Sequence, residues 1–75
     1  MLFRSVINYE LPINNSVSLK IYDVLGREVK TLVNKKQLAG KHRVTFNAAG
    51  LASGIYYYKI DAGDFIQTKK MLLLR

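Results

Sequence analysis

The fold-determining stretch of this sequence is Gly54-Ile-Tyr-Tyr-Tyr-Lys-Ile-Asp-Ala-Gly-Asp-Phe-Ile-Gln-Thr-Lys-Lys-Met-Leu-Leu-Leu-Arg75. Apart from Lys59 and the terminal Asp61, residues 55–61 are apolar or aromatic on both faces of an extended chain, which predicts a central strand covered on both sides. Asp61-Ala62-Gly63-Asp64 is typical of a tight hairpin turn. The turn leads into a last strand, residues 65–74, so we expect an antiparallel sheet.

Alternation with a period of two continues upstream of this stretch. Val17, Leu19 and Ile21 alternate with polar or aromatic residues, and Val44 and Phe46 alternate with polar ones. This pattern is typical of strands with one face in the core and one in water. The whole chain therefore predicts strands at residues 3–11, 17–22, 28–33, 41–47, 55–61 and 65–74.

The first two connections are predicted from their turn residues. Pro12 ends the first strand because it has no backbone N–H, and Asn14-Asn15 predict a hairpin corner because asparagine tolerates positive φ. The second strand ends at Asp23, which suits the first position of a turn. Gly26 suits a left-handed residue that closes a hairpin with a bulge.

The middle of the chain is less regular. Val29, Leu32 and Val33 break strict alternation, which indicates a bulge or a bend and an edge position for the third strand. Residues 34–40 are predicted as the longest loop, and residues 48–54 as a turn of small residues with room for one helical turn.

Length and strand count favour one small domain, residues 1–75. Six or seven short strands with frequent turn signals predict an all-β fold, an antiparallel β-sandwich in preference to a small barrel. Cysteine is absent, so no disulfide stabilises the domain. The chain begins without the apolar segment of a signal peptide.

The charge is strongly positive. Twelve Lys and Arg residues against five Asp and Glu residues give +7, which suits an anionic partner. The cations are scattered, and no motif of aromatic and basic residues that recognises nucleic acid accompanies them, so nucleic-acid binding is not expected. It stays open as a third hypothesis, which predicts salt-sensitive affinity for DNA or RNA.

No catalytic residue, metal site or cofactor is predicted, so the chain is expected not to be an enzyme. The single histidine, His42, lies between two cations in a strand and is interpreted as an exposed strand residue. Asp61 and Asp64 could hold calcium weakly but are better explained as turn residues. Gly50, Gly54 and Gly63 do not form a phosphate loop.

Three consecutive tyrosines, Tyr56, Tyr57 and Tyr58, are interpreted as packing residues rather than as a sugar-binding or partner-binding face. Alternation places Tyr57 on the opposite face from the other two. At most two of the three could therefore contribute to one contact surface.

Several motifs occur in a specific order. They are Tyr22-Asp-x-x-Gly-Arg27, Leu51-x-Ser-Gly-x-Tyr-x-Tyr58 and Lys69-Lys70 followed by Leu72, Leu73 and Leu74. In this order, the chain resembles the C-terminal sorting domain of the type IX (Por) secretion system, type A, over nearly its whole length. Family members usually carry an Asn-Pro-rich segment before the first strand, whereas Met1 to Ser5 stand here as an atypical or excision-derived N-terminus.

The resemblance implies an immunoglobulin-like β-sandwich that acts as a non-enzymatic export signal in Bacteroidota. The implied route is through the periplasm and outer membrane to the cell surface or medium, and the domain is commonly cleaved off. The implied partners are a covalently preceding cargo domain, the type IX translocon and a sortase-like protease. Edge strands would also permit dimerisation.

The motif residues divide into two groups under this resemblance. One group is expected to be structural and comprises Asp23, Gly26, Arg27, Gly54, Tyr56 and Tyr58. The other is expected to be recognised by the translocon and comprises Lys69, Lys70, Leu72, Leu73, Leu74 and Arg75. The competing hypothesis is an immunoglobulin-like structural or adhesion module, since the flagellar hook-capping protein contains a similar domain with a related Tyr-Asp-x-x-Gly pattern.

Overall fold

The computed structural model describes residues 4–48 and 50–73 of the chain. Within these residues the chain forms six strands and no helix. Their bounds are β1 (Arg4–Leu11), β2 (Asn15–Tyr22), β3 (Glu28–Gln37), β4 (Gly40–Asn47), β5 (Gly54–Ala62) and β6 (Phe65–Leu73). The prediction of an all-β fold is confirmed.

Two antiparallel sheets form the domain. One contains β1 and β4, and the other has the order β3-β2-β5-β6. Side chains from both sheets make a single core, which is the arrangement of a small β-sandwich. In the larger sheet β2 and β5 are the inner strands, and β3 and β6 are the edges.

Period-two alternation supplies the core. Val17, Leu19 and Ile21 are at most 2% exposed on one face of β2, and the residues between them are more exposed. β1 contributes Ile7, Tyr9 and Leu11 in the same way, so each strand adds one apolar face.

The third strand carries the predicted bulges and has the predicted edge position. Leu19 lies opposite Val33 while Lys20 lies opposite Thr31, so Leu32 is an extra residue on β3. A second shift leaves Val29 without an opposite residue. The two extra residues are two of the three that break the sequence alternation, because each bulge inverts the side-chain order.

The connection from β1 to β2 differs from its prediction. β1 pairs with β4 and not with β2, so residues 12–14 cross between the sheets instead of forming a hairpin. No residue other than glycine has positive φ in the described part of the chain. Asn14 instead uses its side chain, whose Oδ1 accepts a hydrogen bond of 2.7 Å from the backbone N–H of Ala39. This bond joins the β1–β2 and β3–β4 connections, both of which cross between the sheets.

The predicted long loop at residues 34–40 is also wrong. β3 continues to Gln37 because Asn34 to Gln37 pair with Ser18 to Asn15 of β2, and the connection to β4 is only Leu38 and Ala39. The segment is polar because it lies on a sheet edge, where lysines discourage pairing with other chains. Its polarity makes this segment resemble a loop in the sequence, but an exposed edge strand is polar for the same reason.

β5 is a central strand, as expected, and lies between β2 and β6, but it is covered on one face only. Tyr56 and Ile60 point into the core, whereas Ile55 is 39% exposed on the other face. A two-stranded sheet covers only one side of the four-stranded sheet, and no described segment covers the other side. Below we call this uncovered side the outer face.

The β5–β6 hairpin is fixed by Gly63 and Asn15. Gly63 has φ of +67° and begins the two-residue turn between Ala62 and Phe65. A Cβ atom here would lie 2.4 Å from Asn15 Nδ2. The same amide nitrogen donates to the Ala62 carbonyl at 3.2 Å, and Asn15 Oδ1 accepts from the Ser16 N–H at 2.7 Å.

We predict that Gly63→Ala lowers the free energy of unfolding by about 2–3 kcal/mol. The left-handed backbone costs about 1–2 kcal/mol, and displacing the Asn15 amide nitrogen breaks its hydrogen bond to the Ala62 carbonyl, worth roughly 1 kcal/mol. Gly26→Ala is the matched control, because Gly26 has φ of +82° with no atom within 4 Å of its Cβ position. Urea unfolding of both variants measures the difference, and equal losses would contradict the role of Asn15.

Candidate functional site

The candidate site is the C-terminal part of β6, an edge strand that hydrogen-bonds to β5 alone in the described structure. Its two faces have different environments. Leu73 is 7% exposed and Met71 packs against the core, whereas Leu72 is 61% exposed on the outer face. The strand therefore fills the core with alternate residues and presents the others to solvent.

Lys69 and Lys70 lie on opposite faces of β6. Lys70 is on the outer face, directly across from Tyr57 of β5, and Lys69 lies across from Tyr58. Both are exposed, and neither forms an ion pair among the described residues. β6 has no carboxylate between Phe65 and Leu73, so its charge is entirely positive.

On the outer face, cross-strand neighbours form a row next to the C-terminal part of β6. Ile55 pairs with Leu72, Tyr57 pairs with Lys70, and Tyr22 of β2 pairs with Tyr57. The two tyrosines are half-buried, and Ile55 and Leu72 are 39% and 61% exposed. We call this set, Tyr22, Ile55, Tyr57, Lys70 and Leu72, the terminal patch.

Lys69 borders a different feature. It lines an open cleft of about 470 Å³ between β6 and the two-stranded sheet. The other lining residues are polar or aromatic and come from three strands: Asn8, Tyr9, Glu10, Lys41, His42 and Gln67.

The structure brings together only part of the predicted recognition set. Lys70 and Leu72 share the outer face, Lys69 borders the cleft, and Leu73 is a core residue. Leu74 and Arg75 lie outside the described residues. Sequence reasoning missed Tyr22 and Ile55, whose position beside Leu72 and Lys70 depends on strand order and register.

The β2–β3 hairpin is built around Asp23. Its Oδ1 accepts from the backbone N–H groups of Leu25 and Arg27, both at 2.9 Å, and its Oδ2 accepts from Arg27 Nε at 2.8 Å. Gly26 supplies the positive φ of +82°. Hydrogen bonds from the Arg27 N–H, and then from its side chain and the Leu25 N–H, lower the pKa of the Asp23 carboxyl. The structural role predicted for this motif thus has a geometric basis.

A second ion pair extends this end of the sheet. Lys20 Nζ lies 3.1 Å from Glu28 Oε1. The Lys20 ammonium, followed by the Thr31 hydroxyl, lowers the pKa of Glu28. Both carboxylates near the β2–β3 hairpin are therefore already engaged.

The β5 motif is also structural. Tyr56 is 7% exposed, and its hydroxyl donates to the Ala52 carbonyl at 2.8 Å, which ties the loop before β5 to the core. This resembles the tyrosine corner of immunoglobulin-like sandwiches. Gly54 begins the strand with φ of +148°, and Tyr58 packs against the core. Tyr57 points to the outer face, as alternation predicted.

His42 is not the exposed residue that was predicted. It is half-buried and stacks on Tyr9, with ring centroids 5.3 Å apart and an angle of 20°. Its Nε2 lies 2.7 Å from the Leu38 carbonyl. Tyr9 donates to Gln37, and burial raises the pKa of its hydroxyl. These contacts give the imidazole a packing role.

The described residues contain no cluster of three or more His, Cys, Asp or Glu side chains that could hold a metal ion. Asp61 pairs with Ile66 across the β5–β6 hairpin, and Asp64 is exposed in its turn. No helix of residues 4–48 and 50–73 is long and apolar enough to cross a membrane.

Comparison with protein-family models matches residues 4–74 to a family described as the secretion system C-terminal sorting domain. The match includes all six strands and both turn motifs. A search of curated proteins found no match. A search of solved structures also found none.

We predict that in Asp23→Asn the melting temperature falls less steeply as the pH is lowered. Because the folded-state pKa of Asp23 is lowered, its contribution is fully present above the unfolded-state pKa of about 3.9. It is lost as the pH falls through the lower folded-state value. Melting temperatures measured from about pH 5 to about pH 2 give the slope of stability against pH for each variant. Asp64→Asn is the charge-matched control, and equal slopes for the two variants would contradict the prediction.

We also predict that Tyr56→Phe destabilises the domain by about 0.5–1.5 kcal/mol, the usual contribution of one hydrogen bond. The reason is the loss of the bond to Ala52. Tyr57→Phe is the matched control, since the Tyr57 hydroxyl makes no hydrogen bond with any described residue. Chemical denaturation compares the two, and a Tyr57→Phe loss as large as that of Tyr56→Phe would contradict the role of the corner.

Proposed function

The chain belongs to the C-terminal sorting domains of the type IX (Por) secretion system, and from that membership we propose that the export machinery recognises β6 together with the residues after it. A sorting domain implies export to the cell surface or the medium. The family resemblance seen in the sequence is confirmed.

In this proposal the domain is a non-enzymatic signal attached to a preceding cargo domain. It carries that cargo through the periplasm and across the outer membrane, where the type IX translocon receives it. A sortase-like protease then cleaves the domain from the cargo. The positive surface of β6 suits a receptor with negative charge.

The observation that carries the proposal is that alternate residues of the terminal segment face the core and the solvent. Leu73 and Met71 are used by the core, so their loss would weaken the fold. Lys70 and Leu72 point outward on a free edge, where Leu72 is 61% exposed. Large apolar side chains exposed on an edge strand suit a partner surface. Lys69, Leu74 and Arg75 complete the proposed recognition element.

The test is a reporter with a signal peptide, fused to the full chain and expressed in a type IX-competent bacterium. We expect the double variant Lys69→Gln and Lys70→Gln to reduce surface delivery roughly tenfold, which corresponds to about 1.4 kcal/mol of recognition energy. These side chains are exposed, so the fold should persist.

The matched control is the double variant Lys35→Gln and Lys36→Gln. This second pair of adjacent, exposed lysines lies on the other edge strand of the same sheet, β3, and its variant removes the same charge. Equal delivery by both double variants would refute the assignment to β6. Full delivery after deletion of residues 69–75 would refute it as well.

A further inference from the structure

The terminal patch has no evident role in stabilising the fold. Its side chains point away from the core, and Ile55 and Leu72 together form a cross-strand pair in solvent. An antiparallel sheet with one bare face normally carries polar residues there. A contiguous apolar and aromatic group on this face is therefore a candidate interaction surface.

The patch is confined to one end of the outer face. At the other end of β6, Ile66 is 57% exposed, but its cross-strand neighbour is Asp61. At the patch end, the β2–β3 hairpin adds Val24 and Leu25, which are 64% and 74% exposed. The hydrogen bonds of Asp23 fix the turn that presents these two side chains. Half of the exposed large apolar side chains among the described residues thus lie at this end of the sheet, and Ile55 and Leu72 are paired across strands there.

The free edge of β6 decides between a protein and a lipid partner. An edge strand presents a row of backbone N–H and C=O groups without partners. Acyl chains cannot satisfy these groups, and leaving them unpaired in lipid is costly. An extended protein segment satisfies them by adding as a further strand.

Charge decides which kind of strand fits. Lys69 and Lys70 are the only charged residues between Phe65 and Leu73, so pairing β6 with β6 of a second copy would bring four lysines together. Asp23 and Glu28, the carboxylates of the β2–β3 hairpin, are engaged by Arg27 and Lys20, and β6 itself carries none. A strand with Asp or Glu opposite Lys70 complements the edge, whereas a second copy does not.

We propose that the terminal patch and the free edge of β6 together bind an extended acidic segment of a partner protein, which adds to the sheet beside β6. Apolar residues of this partner segment cover Leu72 and Ile55, and one of its carboxylates pairs with Lys70. The inference rests on the proposed function, because it names the chemistry of the partner that recognises β6.

Two point variants and their controls test the surface in the same reporter fusion. We expect Leu72→Thr and Lys70→Glu each to lower surface delivery roughly tenfold, as for loss of an interface anchor. Ile66→Thr is the control for Leu72→Thr, because Ile66 lies on the same strand and face with nearly the same exposure. Lys36→Glu is the control for charge reversal. Melting temperatures check that all four variants fold.

Photo-cross-linking identifies the chemistry of the partner. We place p-benzoylphenylalanine at position 72, or at position 66 as the control, in the full chain of the exported fusion. The expected result is an adduct at position 72 only. Its cross-linked peptide should carry Asp or Glu within about six residues, the length of a typical strand.

The outcomes separate the two proposals. If the wild-type fusion is not delivered, the proposed function fails. If it is delivered, and Leu72→Thr behaves as Ile66→Thr does, only the docking surface is refuted. Adducts to lipid, to a second copy of the chain or to a peptide without carboxylates would also overturn it.

Discussion

The antiparallel pairing of β2 with β5 places Leu19 opposite Ile60 at the centre of the core, where both side chains are fully buried. Burial of one such aliphatic side chain contributes about 1.5–3 kcal/mol. This register also fixes the faces of both strands, because a slip by one residue would turn every core side chain toward solvent. With β2 and β5 inside, β3 and β6 become the edges of the sheet.

That arrangement has a consequence for surface chemistry. Two strands, β1 and β4, cover one side of a four-stranded sheet, and the described chain has no element for the other side. Because side chains alternate along a strand, half of the side chains of each strand in this sheet point to the bare face. The polar residues on this bare face, such as Lys20 and Lys59, need no further cover, but Ile55, Tyr57 and Leu72 do not follow the pattern. Ile66 also departs from it, but the contiguous group lies where β5 begins and β6 ends.

Alternation and turn residues predicted much of this fold, because both are local properties. The bulges in β3 could be read from Val29 and Leu32, and the β2–β3 turn from Asp23 and Gly26. The topology could not be read in this way, since alternation does not say which strand is the partner. Thus the turn residues predict a hairpin between β1 and β2, whereas the Asn14 side chain joins two connections that cross between the sheets. The terminal patch was incomplete for the same reason: Lys70 and Leu72 were visible in the sequence, but Tyr22 and Ile55 join them only through register.

Folding and the proposed signal presentation use alternate residues of the same strand, β6. Met71 and Leu73 hold the strand against the core, and this contact directs Lys70 and Leu72 to the opposite face. In an unfolded chain all of these side chains would be accessible, and the lysine would have no fixed relation to Tyr57 or Ile55. A receptor that contacts the terminal patch as a surface would therefore distinguish a folded domain from an unfolded one. A receptor that reads only the linear sequence of the last residues would not, and this difference separates a conformational signal from a linear one.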